Sequence, residues 1–197
     1  MTNARNATRT ATAARGDYSL AVRMPDRTIH LAAVLAAAVT TAAVLAAAPT
    51  GTAGSATPPL CQTPGLVVWL NTQGNGAAGS VYYTLELTNL SGHACTLNGY
   101  PYVYAVTLAG STLGSVGSFD HVHQTATVTL ANGATAKSVL RIVQAANFPE
   151  SACHRVTAAG LRVYPPNQTR ATRIPFPFDA CSRKGPVVLS VQAVQKG

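Results

Sequence analysis

The segment Val81-Tyr82-Tyr83-Thr84-Leu85-Glu86-Leu87-Thr88 decides the fold class of this chain. Its apolar side chains recur at every second position, and its polar side chains occupy most of the positions between them. The apolar face consists of Val81, Tyr83, Leu85 and Leu87. A period of two is typical of a β-strand with one buried face, whereas a helix would show a period near 3.6.

The same period appears on both sides of Asn132-Gly133, the residue pair that most favours a tight hairpin turn. Residues 126–130 alternate before this pair and residues 134–143 alternate after it. We therefore predict a hairpin formed by these two segments. Further strands are predicted at residues 66–70, 102–108, 161–164 and 187–194.

Seven to nine short strands in about 140 residues are typical of an immunoglobulin-like two-sheet β-sandwich, with a β-barrel as the alternative. We predict the all-β sandwich. No segment after residue 57 shows a helical stripe. Residues 170–178 contain Pro175 and Pro177, and we expect them to form a stiff surface segment packed against the sandwich.

The N-terminal region has the pattern of a signal peptide. Residues 31–48 are apolar and uncharged, and Arg23 and Arg27 precede them. Small residues follow, so cleavage is predicted after Ala53 or Ala56. The alternative is an uncleaved membrane anchor.

These features divide the chain into an N-terminal extension with signal peptide, residues 1–56, and a domain at residues 57–197. Met24 is an alternative start, because the leader would then have an ordinary short basic region. The expected location is secreted or associated with the cell envelope. The domain itself is not expected to span a membrane.

All the cysteines lie in the domain, and an even number in an exported protein predicts disulfides. They are Cys61, Cys95, Cys153 and Cys181. The pairing Cys61–Cys95 with Cys153–Cys181 is favoured because each bridge closes a loop of modest length, but the other two pairings remain open.

The formal net charge of the chain is +8, and residues 57–197 contain nine basic and four acidic residues. The basic residues are scattered and form no run like that of a nucleic-acid-binding patch. We therefore expect no nucleic-acid partner.

The order of several short motifs resembles a family of secreted actinobacterial domains of unknown function, DUF4232. The motifs are Leu87-Thr88-Asn89, Cys95-Thr96-Leu97-Asn98-Gly99-Tyr100-Pro101, Leu130-Ala131-Asn132-Gly133 and Leu161-Arg162-Val163. The resemblance covers about residues 61–194. It implies an exported β-sandwich without an established activity, cofactor or catalytic residue. Where the family usually has Pro-Gly in the hairpin region, this chain has Ala131-Asn132-Gly133.

These motifs also have a structural interpretation. Asn89 can end a strand and satisfy backbone groups of the following turn, Gly99 permits a positive φ, and Pro101 fixes the start of the next strand. A ligand site at the same residues is the alternative.

Two histidines form the most specific candidate metal site. In a strand, His121 and His123 would point to one side and could share copper or zinc, joined by His93 or His154. Residues 115–125 are rich in Gly and Ser, however, which favours a solvated loop. Since four histidines are too few for a copper-zinc superoxide dismutase site, we expect no cofactor.

A stripe of aromatic residues is the candidate binding surface. Tyr100, Tyr102 and Tyr104 alternate along one predicted strand. Such a stripe is more often buried in the core, and this is the expectation. Exposed, it would stack on sugar rings or contact a protein.

Catalytic patterns are weak. The nucleophile motif Gly-x-Ser-x-Gly does not occur, and nothing places the carboxylates Asp120 and Glu150 across a cleft. We expect a non-catalytic module that binds an extracytoplasmic protein, glycan or lipid. A metal-binding protein and an undetected hydrolase are the alternatives.

Overall fold

The computed structural model describes residues 56–197, so the predicted signal peptide lies outside the described residues. No helix in residues 56–197 is long and apolar enough to cross a bilayer. The strands are β1 (Leu66–Ala77), β2 (Ser80–Asn89), β3 (Cys95–Leu97), β4 (Tyr102–Val106), β5 (Thr112–Leu113), β6 (Ser118–Asp120), β7 (Val128–Leu130), β8 (Thr135–Val143), β9 (Arg155–Tyr164), β10 (Thr172–Cys181), β11 (Leu189–Gln192) and β12 (Gln195–Lys196). The helices are short: 3-10 turns at Thr63–Gly65 and Ala145–Asn147, and the α-helix α1 at Glu150–Cys153.

The strands form two large sheets and one small ribbon. The first sheet has the order β1-β2-β8-β11-β6, with β12 also paired to β8. The second sheet has the order β10-β9-β4-β5, and β3 pairs with β7 in the ribbon. The pairs are antiparallel except for β11 and β6, which run parallel. The predicted all-β, immunoglobulin-like two-sheet sandwich is confirmed.

The core lies between the inner faces of the two sheets. Leu85 and Leu87 of β2 and Leu140 of β8 are completely buried, as are Val103 of β4 and Leu161 of β9. Burying each leucine side chain stabilises the fold by about 1.5–3 kcal/mol. The alternation in residues 81–88 therefore predicts the inward face of β2 correctly.

The predicted hairpin around Asn132-Gly133 is wrong in its strand pairing. The turn exists, since the Ala134 amide donates to the Ala131 carbonyl at 3.0 Å and Gly133 has φ +84°. However, β7 pairs with β3, whereas β8 pairs with β2. β8 pairs with β2 because β2 is a much longer partner strand than β7. The turn therefore leads the chain from the ribbon into the first sheet.

The expectation of a surface segment at residues 170–178 is also wrong, since most of it belongs to β10. Pro175 and Pro177 lie within this strand. Proline has no amide hydrogen to donate, but β10 is an edge strand and has a neighbour on one side only within its sheet. A bulge between Pro175 and Phe178 accommodates the irregular backbone.

Asn89 fastens the first sheet to the ribbon. Its side chain is completely buried at the end of β2. Its Nδ2 donates to the carbonyls of His93 and Leu130 at 2.8 and 3.0 Å. Its Oδ1 accepts from the Ser91 amide and hydroxyl at 3.0 and 2.7 Å. The predicted role in satisfying the following turn is confirmed.

Two disulfides join Cys61 to Cys95 and Cys153 to Cys181, the pairing that the loop lengths favour. The bridged residues are separated by 34 and 28 positions in sequence. Bridges over loops of this length stabilise a folded domain by roughly 2–4 kcal/mol each. They therefore hold the N-terminal segment to the ribbon and α1 to β10.

Candidate functional site

The alternation of β4 brings tyrosines to the outer face of the second sheet. Val103 and Ala105 fill the core, so Tyr102 and Tyr104 point away from it. Tyr102 is 48% exposed, and Tyr100 and Tyr104 are half-buried. The expectation that these three tyrosines are buried in the core is therefore wrong. Both faces of β4 are apolar, and the smaller side chains occupy the core.

Two further rings extend this stripe. Phe119 of β6 stacks on Tyr100 with 4.6 Å between ring centroids and meets Tyr102 edge-on at 5.1 Å. Tyr164 of β9 stands opposite Tyr102 in register and meets Tyr104 edge-on at 6.0 Å. We call Tyr100, Tyr102, Tyr104, Phe119 and Tyr164 the aromatic surface.

The sequence interpretation missed Phe119 and Tyr164. Tyr164 carries a usable signal, because it ends a predicted strand in which the apolar residues Leu161 and Val163 share one face. Tyr164 then lies on the opposite face. Val163 faces the core, which turns Tyr164 outward. Phe119 lies among Gly and Ser residues and carries no periodic signal. Only the fold brings it to Tyr100.

A shallow cavity of about 260 Å³ opens beside Tyr102. It is lined by Asn98, Gly99, Tyr100, Tyr102, Phe119, Asn167 and Gln168. Asn98 donates through Nδ2 to the Thr127 hydroxyl at 3.1 Å, and Asn167 donates through Nδ2 to the Asn98 carbonyl at 3.0 Å. Amides that are fixed in this way can bind hydroxyl groups of a ligand that rests on the rings.

His121 and His123 lie in an exposed turn directly after β6, not in a strand. The Tyr100 hydroxyl lies 2.9 Å from Nδ1 of His121 and donates to the His123 carbonyl at 3.4 Å. A second shallow cavity, of about 390 Å³, lies between these three residues. The predicted loop is confirmed at the two histidines, whereas Ser118–Asp120 within the same predicted loop forms β6. His121 borders the aromatic surface.

A shared metal at His121 and His123 stays the alternative interpretation of this pair. Across residues 56–197, no three His, Cys, Asp or Glu side chains are grouped closely enough to hold a metal ion. Of the histidines proposed to join them, His93 contacts Ser91 in its own turn, with 3.1 Å between Nδ1 and the carbonyl oxygen. His154 contacts Ser182.

The contact between Ser182 and His154 bears on the hydrolase alternative. Oγ of Ser182 lies 2.9 Å from Nδ1 of His154, but the hydroxyl donates to the His154 carbonyl, also at 2.9 Å. Because a hydroxyl has one hydrogen, the backbone carbonyl of His154 competes with the His154 ring for the Ser182 proton. The pair stabilises the left-handed backbone of His154, which has φ +48°.

The carboxylates Asp120 and Glu150, which the sequence does not place across a cleft, are each engaged locally. Asp120 accepts hydrogen bonds from the Val122 amide at 3.2 Å and from the Gln192 side chain at 3.0 Å. Nε of Arg155 donates to Glu150 at 3.0 Å and lowers the pKa of this carboxyl below its ordinary value. Both carboxylates therefore have structural partners.

A sequence profile described as "Domain of unknown function (DUF4232)" matches residues 61–195, which include both disulfides and the whole aromatic surface. No curated protein and no solved structure matches the chain. The matched region covers most of the chain, and it contains the motifs at residues 87–101, 130–133 and 161–163 that carry the resemblance. The chain therefore belongs to the DUF4232 family.

Proposed function

We propose that this protein is an exported, non-catalytic module that binds a glycan on its aromatic surface. The observation that carries the proposal is the half-exposed ring of Tyr102, which lies between Phe119 and Tyr164 on the outside of a rigid sheet. Aromatic rings fixed in this way offer a flat apolar platform to the C–H face of a sugar ring. The amides of Asn98 and Asn167 supply polar partners for its hydroxyls.

The form of the surface favours a glycan over a lipid. Its cavities are open and shallow, and their walls combine rings with amide, hydroxyl and imidazole groups. An acyl chain gains most from a deep and largely apolar cleft. A sugar chain, which alternates apolar faces with hydroxyl edges, fits a stripe of rings bordered by amides.

Export is supported by the two disulfides, which persist in oxidising compartments, and by the signal-peptide pattern in residues 31–56. The proposed site of action is outside the cytoplasm, in the secreted or envelope-associated state. The glycan partner is then an extracytoplasmic polymer.

The test is titration of soluble polysaccharides into the processed protein, purified from an oxidising compartment without a His tag. Binding is followed by the proton NMR signals of the aromatic rings. We expect at least one polysaccharide to shift the Tyr102 and Phe119 ring signals saturably. If no polysaccharide shifts any ring signal of protein whose intact mass shows both disulfides, the proposal is wrong.

A further inference from the structure

Two arginines stand side by side on the same outer face as the tyrosines. In the antiparallel register, Tyr104 of β4 lies opposite Arg162 of β9, and Arg162 lies opposite Arg173 of β10. The neighbouring row pairs Tyr102 with Tyr164. The aromatic surface therefore continues directly into a pair of positive charges.

The partners of these arginines are dipoles, not charges. Nη2 of Arg162 donates to the Gly110 carbonyl, and Nη2 of Arg173 donates to the carbonyls of Thr107 and Leu108 at 3.2 and 3.0 Å. The ion pair that the structure gives for residues 56–197 is Arg155–Glu150, elsewhere in the second sheet. Like charges in opposite positions of a sheet repel each other, so this arrangement favours an external anion.

A third cation borders the same stripe. Lys184 is exposed and, together with Tyr104, lines a cavity of about 320 Å³. Positive groups thus lie on two sides of the Tyr104 ring.

The acidic residues of the domain do not balance these charges. They are Glu86, Asp120, Glu150 and Asp179. Glu86 lies opposite Lys137 in the first sheet, Asp120 binds Gln192, and Glu150 binds Arg155. Asp179 lies towards the other end of β10, beyond the bulge, opposite Thr157. The potential around Tyr104 is therefore positive.

The geometry points to an anionic glycan as the ligand, with Arg162, Arg173 and Lys184 as the specificity residues that bind its carboxylate or phosphate groups. This inference rests on the proposed function and adds the charge of the sugar chain. Guanidinium groups bind carboxylates and phosphates through two parallel N–H donors, and each arginine retains free donors beyond those used on the turn. Sugar rings stack on the tyrosines while their acidic groups reach the cations.

The experiment compares acidic polymers with neutral counterparts of the same backbone. Polygalacturonate and its carboxyl-reduced form test carboxylates, and phosphomannan and its dephosphorylated form test phosphates. Affinities are measured on the processed protein at low salt and at about 150 mM salt. At the higher concentration, interactions between exposed charges are screened beyond about 8–10 Å. A thymidine oligonucleotide and polyglutamate test two other anionic polymers.

The decisive variant is the double substitution Arg162→Gln/Arg173→Gln. Its matched control is Lys137→Gln/Lys196→Gln, which removes two exposed charges from the first sheet. We expect the double variant to bind one acidic glycan at least about tenfold more weakly and the control to stay within about twofold of wild type. Because the arginines also hold the turn at residues 107–110, Lys184→Gln provides a test that leaves this turn intact, with an expected loss of about threefold.

Equal binding of the acidic and neutral forms overturns the inference and leaves the proposed function standing. Absence of binding to every polysaccharide overturns both. Tighter binding of the oligonucleotide or of polyglutamate than of either acidic glycan assigns the cations to another class of ligand. An unchanged affinity in both Lys184→Gln and the double variant also overturns the inference.

Discussion

The outer faces of the two sheets use exposed aromatic and charged residues in opposite ways. On the first sheet, Trp69 is 42% exposed and stands opposite Glu86, which stands opposite Lys137. On the second sheet, the corresponding row is Tyr104, Arg162 and Arg173. The first face places a negative charge beside a positive one, whereas the second places two positive charges together.

Strand β9 shows the same contrast within one element. Arg155 at its start has Glu150 at 3.0 Å, whereas Arg162 near its end binds a backbone carbonyl. Charges that are neutralised internally need no partner to be stable in water. Arg162 and Arg173 adjoin the aromatic surface without an acidic partner in residues 56–197, whereas Arg141 of the first sheet lies over Tyr82 and donates to the Ser80 hydroxyl. We therefore place the ligand site on the second sheet, completed by Phe119 from β6 at the edge of the first sheet.

The largest effect is expected from a scaffold residue. Asn89→Ala should lower the free energy of unfolding by about 2–4 kcal/mol, because the completely buried amide of Asn89 holds the Leu130 carbonyl and the Ser91 amide by hydrogen bonds that alanine cannot replace. Urea denaturation measures this loss. Thr88→Ala, at the adjacent position, is the control, with an expected loss below about 1 kcal/mol.

Glycan affinity of the folded Asn89→Ala protein should equal that of wild type, since Asn89 lies in the scaffold. A normal stability would show that the hydrogen bonds of Asn89 do not hold the ribbon. A changed affinity in fully folded protein would contradict the division between scaffold and ligand face.

Tyr102 on the second sheet and Trp69 on the first have similar exposed fractions, so substituting each in turn shows which face binds the glycan. Tyr102→Ala should weaken glycan binding about fivefold, since stacking on a fixed ring contributes on the order of 1 kcal/mol. Trp69→Ala should leave the affinity within about twofold. Calorimetric titration of the same polysaccharide measures both.

Tyr102→Phe is the conservative control and should retain most of the affinity, because the stacking face is preserved. A loss in Trp69→Ala equal to that in Tyr102→Ala would move the ligand to the first sheet.

The fold follows from local patterns, but the site depends on contacts between distant segments. Alternation in residues 81–88 and the turn at Asn132-Gly133 are both local, and both are present. The partner of β8 is not local, so the hairpin was predicted with the wrong strand. The sequence does not predict β10, because Pro175 and Pro177 have no amide hydrogen and therefore argue against a strand. Prolines are tolerated in an edge strand, but the position of β10 at the edge of its sheet is visible only in the structure.

Only part of the site follows from the sequence, because its other residues meet through contacts between distant segments. The stripe of Tyr100, Tyr102 and Tyr104 is visible in sequence, but β4 is apolar on both faces and its pattern cannot distinguish inward from outward. The meeting of Arg162 with Arg173 depends on the register of β9 and β10, which is set where the chain turns between Tyr164 and Thr172. A register shifted by one residue would place these arginines on opposite faces, and neither strand shows its register by its own sequence.

A smaller effect is expected at the border of the aromatic surface. The double substitution His121→Ala/His123→Ala should weaken glycan binding about two- to threefold, because the Tyr100 hydroxyl loses its 2.9 Å contact with the His121 ring. Metal content by elemental mass spectrometry is measured on the same samples. About one copper or zinc per chain in wild type, lost in the variant, would support the metal-binding alternative.

The smallest effect is expected at the neutralised end of β9. The pKa of Glu150 is lowered from its ordinary value of 4.5 by Arg155, so the pair adds stability above that value and loses it as the pH falls through the lower folded pKa. Thermal melting should show wild type slightly above Glu150→Gln at neutral pH, and the difference should vanish on acidification. Arg155→Gln should abolish the same pH dependence, since it removes the other half of the pair.

Both side chains are more than half exposed, so the effect of the pair on stability is small. Glycan affinity should not change in either variant. A weaker affinity in Arg155→Gln would extend the ligand site along β9 to a charge that the fold already neutralises, and the contrast with Arg162 would then fail.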